Sequence, residues 1–273
     1  MEPLDIVKRI KSLPPLPESV IELEELFAGG DPDLRVLTKI IEKDSALTAN
    51  ILAHANSPYY GMQKNIVSVS QAVMLFGAVQ IRGFTLASLI DKSFKFDMSV
   101  YGIDNSVFGE VSSLQSALMF QWYMGVDIEK SKHLIPIAFL METGRIIIAN
   151  ELSQSEHAQQ FLELVEQKGL TYTERLFTGF TAAEVAAALF EHWHFHEIFT
   201  NTMQYLDNIE NAPEAFLPYI KALDVVRTCI NIREIMTESS FEAATEKVIQ
   251  YGLSSNLFVR TVERLQKKRQ ELA

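Results

Sequence analysis

Cysteine is nearly absent from this chain of 273 residues: Cys229 is the only one. With no second thiol there is no intrachain disulfide, which excludes a disulfide framework and points to a reducing compartment. The acidic start Met1-Glu2-Pro3-Leu4-Asp5 lacks the apolar core of a secretion signal. The longest unbroken apolar stretch, Leu134 to Met141, falls far short of the roughly 20 residues that span a bilayer. A cytoplasmic protein without membrane insertion is expected. Positive charge is also scarce: 24 Lys and Arg stand against 35 Asp and Glu, a formal net charge of -11. Such a surface repels phosphate backbones, so nucleic acid is not the expected partner. Low-complexity tracts, Gly-x-Gly-x-x-Gly, Walker loops and Gly-x-Ser-x-Gly elbows are missing as well.

What is present is helix. Hydrophobic residues make up 48% of the chain, enough for a large core. Leu34, Leu37, Ile40 and Ile41 share one helical face, as do Leu47, Ile51, Leu52 and Ala55. Helix starts are predicted at Asp31-Pro32 and at Asp44, and at the capping-box spacings Ser68/Gln71, Thr171/Glu174, Thr181/Glu184 and Ser239/Glu242, with Gly77 as a stop. No useful length alternates as a strand would. The expected fold is all-α. An aperiodic stretch, Phe94 to Asp104, and the polar stretch Asn208 to Pro213 divide it. The division gives an N-terminal bundle over 1–95, a second helical unit over 105–208 and a C-terminal extension over 213–273. In the extension, helices are predicted over 214–236, 241–251 and 256–268.

Four segments carry a resemblance in series. Leu13-Pro14-Pro15-Leu16-Pro17 is too proline-rich for helix and forms a stiff strap. A helix boundary follows at Ile41-Glu42-Lys43-Asp44-Ser45-Ala46-Leu47-Thr48. Ala55-Asn56-Ser57-Pro58-Tyr59-Tyr60-Gly61 ends a helix in a turn, and Ser68-Val69-Ser70-Gln71-Ala72-Val73-Met74-Leu75-Phe76-Gly77 leads into Ile81-Arg82. In this order they resemble the HDOD family of bacterial signalling modules over about Leu13 to Asp207. The resemblance implies an all-helical fold related to HD-domain metal-dependent phosphohydrolases, commonly with a degenerate hydrolase centre and a role in signal transduction.

The resemblance also implies where metal ligands would stand. HD hydrolases hold a divalent ion with a leading His, a His-Asp pair, a further His and a distant Asp, leaving positions for water and phosphate. Local similarity places the leading His at Ser112, within Val111-Ser112-Ser113-Leu114-Gln115. The His-Asp pair falls on Met141 and Glu142, within Phe139-Leu140-Met141-Glu142-Thr143-Gly144-Arg145. The later His falls on Ala182, and the distant Asp survives as Asp224. A thioether is a poor ligand for a hard ion. Glu142 is read instead as an ion-pair partner of Arg145, worth a few tenths of a kcal/mol if exposed.

Other candidates weigh less. His192-Trp193-His194-Phe195-His196 would put His192 and His196 on one helical face, yet no third or fourth ligand is evident. Arg260, Arg264, Lys267, Lys268 and Arg269 form one side of a C-terminal helix whose other side is apolar, read as a docked amphipathic helix. Cys229 reads as core packing. The sequence therefore predicts no catalytic residues, no metal and no cofactor. It predicts a regulatory module acting on a signalling protein through the region of Tyr59, Tyr60 and Arg82. A residual phosphohydrolase or nucleotide phosphodiesterase, with an ion at Glu142 and Asp224, is the alternative. A non-hydrolysing sensor of a nucleotide or other small ligand is the third reading.

Overall fold

A computed structural model of the chain describes residues 4–13, 15–93 and 97–272. The first three residues, Pro14 of the strap and the start of the connector at Phe94–Phe96 lie outside the described residues, and with them the predicted boundary at 95. The fold is all-α: among the described residues the only β pairing is an isolated bridge between Ile230 and Ile235.

The N-terminal part runs through α1 (Ile6–Lys11), α2 (Glu18–Ala28), α3 (Leu34–Lys43), α4 (Ser45–Ala55) and the long α5 (Val69–Ser93). Asp44 separates α3 from α4, and its carboxylate accepts from the backbone N–H groups of Ala46 and Leu47. Gly77 interrupts α5 with φ 70° and ψ 169°, so the predicted stop is a break between two helical halves. The stretch Val69–Leu89 is long and apolar enough to cross a membrane by length and composition. It is a core element here, with 72% of its apolar window buried inside the molecule.

The central part comprises α6 (Asn105–Tyr123), α7 (Ile128–Leu140), α8 (Thr143–Leu152), α9 (Ala158–Lys168), α10 (Leu170–Thr178), α11 (Ala182–His192) and α12 (Glu197–Gln204). Helix α7 packs between α5 and α6. The crossing with α5 is tight because Gly83 faces Pro136: a Cβ on Gly83 would lie 3.2 Å from the Pro136 Cα. Helices α13 (Leu217–Cys229), α14 (Glu238–Gln250) and α15 (Ser255–Leu272) complete the chain. Helix α13 packs on α6 and α7, and α15 lies along α6 through buried Phe258, Val262 and Leu265.

Several predicted starts shift. The cap of α3 is Asp33 rather than Asp31, because Asp33 accepts from Arg35 N–H while Asp31 pairs with Lys132. Thr237, not Ser239, caps α14. Helix α10 opens after Gly169, so Thr171 is already helical. The helix predicted over 214–236 ends at Cys229, where Ile230 turns extended. The Thr181/Glu184 capping box is present in both directions.

Candidate functional site

The centre implied by the resemblance forms where α7, packed on α6, gives way to α8, packed on α11. Gly144 makes the approach: a Cβ there would stand 1.9 Å from the carbonyl oxygen of Ala182, so only glycine lets α8 touch the start of α11. Met141 and Ala182 are both buried in this contact. The Ala182 position is used through its backbone, whose N–H donates to Glu174 Oε2 at 2.9 Å. A carboxylate at the N-terminus of α11 is favoured by the helix dipole.

Arg145 lies at the middle. Its side chain is buried; Nη1 meets the Glu142 carboxylate and Nε lies 2.9 Å from Glu174 Oε1. Gln115, one turn after Ser112 on α6, donates from Nε2 to Glu142 Oε1 and to the carbonyl of Ile230, both at 2.8 Å. Tyr101 donates to Glu174 Oε1 at 3.3 Å, and burial beside that carboxylate holds its phenol well above the ordinary value. Next to this group, Asp207 pairs with Arg227 at 2.8 Å. Burial works to raise the Asp207 pKa, but Arg227, the Thr181 hydroxyl and Arg145 together hold it below the usual carboxylate range.

The Glu142–Arg145 pair thus exists, but in the interior, where removing one partner costs far more than at the surface. Asp224 does not join it. Its carboxylate is held by Lys247 Nζ at 2.9 Å and the Tyr251 hydroxyl at 2.7 Å, toward α14. The two remnants expected to share an ion therefore serve separate partners. Glu174, Gln115 and Asp207 escape sequence reasoning. Glu174 is three residues from a threonine and reads as a capping residue, while its true partner Arg145 is 29 positions away.

These residues do not fit a divalent ion. A thioether, a methyl group and a hydroxyl stand at Met141, Ala182 and Ser112, where imidazoles would be needed. A guanidinium, fixed in charge, already lies on both carboxylates. Among the described residues no three His, Cys, Asp or Glu side chains converge as a metal cluster.

The remaining candidates sort by burial. Tyr60 and Arg82, expected as surface contacts, are only 7% and 8% exposed. Tyr60 accepts from Gln80 Nε2 at 2.7 Å, and Arg82 is held by both oxygens of Glu24. Tyr59 is half-buried and donates to Glu110, which also accepts from Arg269 Nε at 3.0 Å. The Tyr59 turn therefore abuts the basic C-terminal helix, and a groove of about 410 Å³ opens between them, lined by Gly61, Gln121, Arg264, Lys267 and Lys268. The histidine run is not one helical face: α11 ends at His192 and His194 takes a left-handed φ of 55°. Cys229 is buried and its thiol is pushed up to about 12 by desolvation, so it is inert.

The HDOD domain model matches residues 13–209. A curated protein of Treponema pallidum (strain Nichols) is 22% identical over 255 residues, covering 90% of this chain and 47% of that protein. The chain thus spans about half the length of that relative. Among solved structures, a virulence factor from Campylobacter jejuni subsp. jejuni is similar over 96% of this chain and 98% of its own, with a TM-score of 0.61 and 23% identity. An HDOD domain protein from Geobacter sulfurreducens is similar over 97% and 95%, with a TM-score of 0.65 and 17% identity. Likeness at these identities establishes the fold. With a family match over most of its length, the chain belongs to the HDOD domain family.

Proposed function

We propose that this chain is a non-catalytic signalling module that acts by contacting a protein partner. The observation that carries the reading is the Arg145 guanidinium seated between the Glu142 and Glu174 carboxylates. A protein-borne cation supplies there the positive charge that an ion would bring to an HD centre. It offers no exchangeable position for water or phosphate, which metal-assisted hydrolysis requires. The module works in the reducing cytoplasm, consistent with its lone buried thiol.

For the contact surface, the groove between the Tyr59 turn and α15 replaces the internal side chains of Tyr60 and Arg82. Arg264 and Lys267 are exposed there and make no ion pair among the described residues, on a molecule whose net charge is strongly negative. A local positive field on an acidic body selects an acidic protein surface and speeds its encounter. The test is capture of partners from lysate of the source cells, comparing the native chain with Arg264→Glu/Lys267→Glu. Recovery of a specific partner is expected to fall roughly tenfold in the variant and to weaken with salt. Equal recovery by both proteins would remove this surface from the account.

A further inference from the structure

A second and larger cavity lies away from the Arg145 centre and shares no residue with it. It measures about 1100 Å³ and opens between the proline strap, α2, the second half of α5 and the turn joining α11 to α12. Its size is at the upper end of what small-molecule sites offer. The walls are apolar along Leu16, Ile21 and Val79, and aromatic at Phe27, Trp193 and the imidazoles of His133 and His196.

The cations at its wall are already matched, and the exposed Glu25 carboxylate adds negative charge there. Arg82 is gripped by Glu24 and stacked between the rings of Phe27 and Phe199, 5.1 and 5.0 Å from their centroids. Lys132 is held by Asp31 at 3.0 Å and by Glu129 at 3.0 Å. Neither cation is free to take a phosphate, so the cavity is not built for the charged end of a nucleotide.

On the aromatic wall the hydrogen-bonding groups are two imidazoles. His133 Nδ1 is buried without a partner. Burial, with Arg82 and His196 nearby, lowers the His133 pKa to about 4, so the ring is uncharged at neutral pH. His196 accepts at Nδ1 from the Ile198 N–H at 3.3 Å, which leaves its proton on Nε2 as a donor. The two rings lie 5.1 Å apart and are tilted by 31°.

We infer that this cavity binds an uncharged, flat heteroaromatic molecule, held between aromatic walls and hydrogen-bonded along one edge by His133 and His196. Such a site would give the module a small-molecule input separate from its protein-contact surface.

The experiment is saturation-transfer difference NMR on the full chain with adenosine, guanosine, caffeine and riboflavin, alongside AMP, GMP and FMN. At least one uncharged compound is expected to bind saturably and more tightly than its phosphorylated counterpart. Val79→Trp, which fills the cavity, is expected to abolish that binding with an unchanged circular dichroism spectrum. His133→Phe keeps a ring but removes the nitrogen, and should weaken binding about tenfold, the worth of one hydrogen bond. Should Val79→Trp alter the spectrum, the His133→Phe result decides alone. The inference is overturned if none of the uncharged compounds binds, if a phosphorylated form binds more tightly, or if the variants bind as the native chain does.

Discussion

Arg145→Ala is expected to destabilise the protein by about 3–5 kcal/mol, the usual cost of removing one partner from a buried ion pair. The substitution strands two carboxylates at once. Glu142 is fully buried and Glu174 is 1% exposed, so bulk solvent does not screen the stranded charges. Gln115, the Tyr101 hydroxyl and the Ala182 N–H remain as donors, but none carries charge. A typical domain is stable by about 5–15 kcal/mol in all, so the loss is a large share of the whole. Urea denaturation of the native chain and the variant measures it. A triple variant, Arg145→Met/Glu142→Gln/Glu174→Gln, removes all three charges with little change in volume and is expected to recover most of the loss. An Arg145→Ala protein within about 1 kcal/mol of native, the scale of a surface pair, would show that the cluster does not hold the centre together.

Gly144→Ala is the second large effect. The added Cβ meets the Ala182 carbonyl oxygen at 1.9 Å, its carbon at 2.8 Å and the Ala186 nitrogen at 3.0 Å. All three are backbone atoms, so no side chain can swing aside; α8 or the start of α11 has to move. That shift also disturbs the Ala182 N–H bond to Glu174. Overpacking of this kind is expected to cost about 3 kcal/mol or more. Gly109→Ala in α6 is the control of opposite sign. It meets nothing within 4 Å, and alanine in an exposed helix is favoured over glycine by about 0.5–1 kcal/mol. Thermal melts of the two variants should move in opposite directions. A Gly144→Ala protein that melts with the native chain would contradict the close contact of α8 with α11.

The fold was largely legible in the sequence because its signals are local. Asp44, Gly77 and the Thr181/Glu184 box act within one helical turn, and each sits where its spacing places it. Choices between equivalent neighbours were not legible. Asp31 and Asp33 flank the same proline, and the longer-range pull of Lys132 on Asp31 separates them. The same holds for Thr237 against Ser239.

The centre was legible only by what is missing from it. Ser112, Met141 and Ala182 could be named as positions where the resemblance expects ligands. The guanidinium shared between two carboxylates could not, since Arg145 looked like the partner of Glu142 alone. Its second carboxylate, Glu174, comes from another helix, and Gln115 enters from α6. Two of the three residues expected at the surface, Tyr60 and Arg82, lie inside for the same reason. Tyr60 and Arg82 have polar tips that suit either an interface or an internal bond, and Gln80 and Glu24, supplied by the fold, decide for the interior.

The central claim is that a protein cation occupies the place of a catalytic ion. Elemental analysis of the full chain, purified after exposure to Mn²⁺ and Mg²⁺, tests it most directly when paired with turnover on cyclic and linear nucleotides. The account predicts no stoichiometric divalent ion and no turnover above background. A stoichiometric ion, with phosphoester hydrolysis lost in Glu142→Gln, would contradict it.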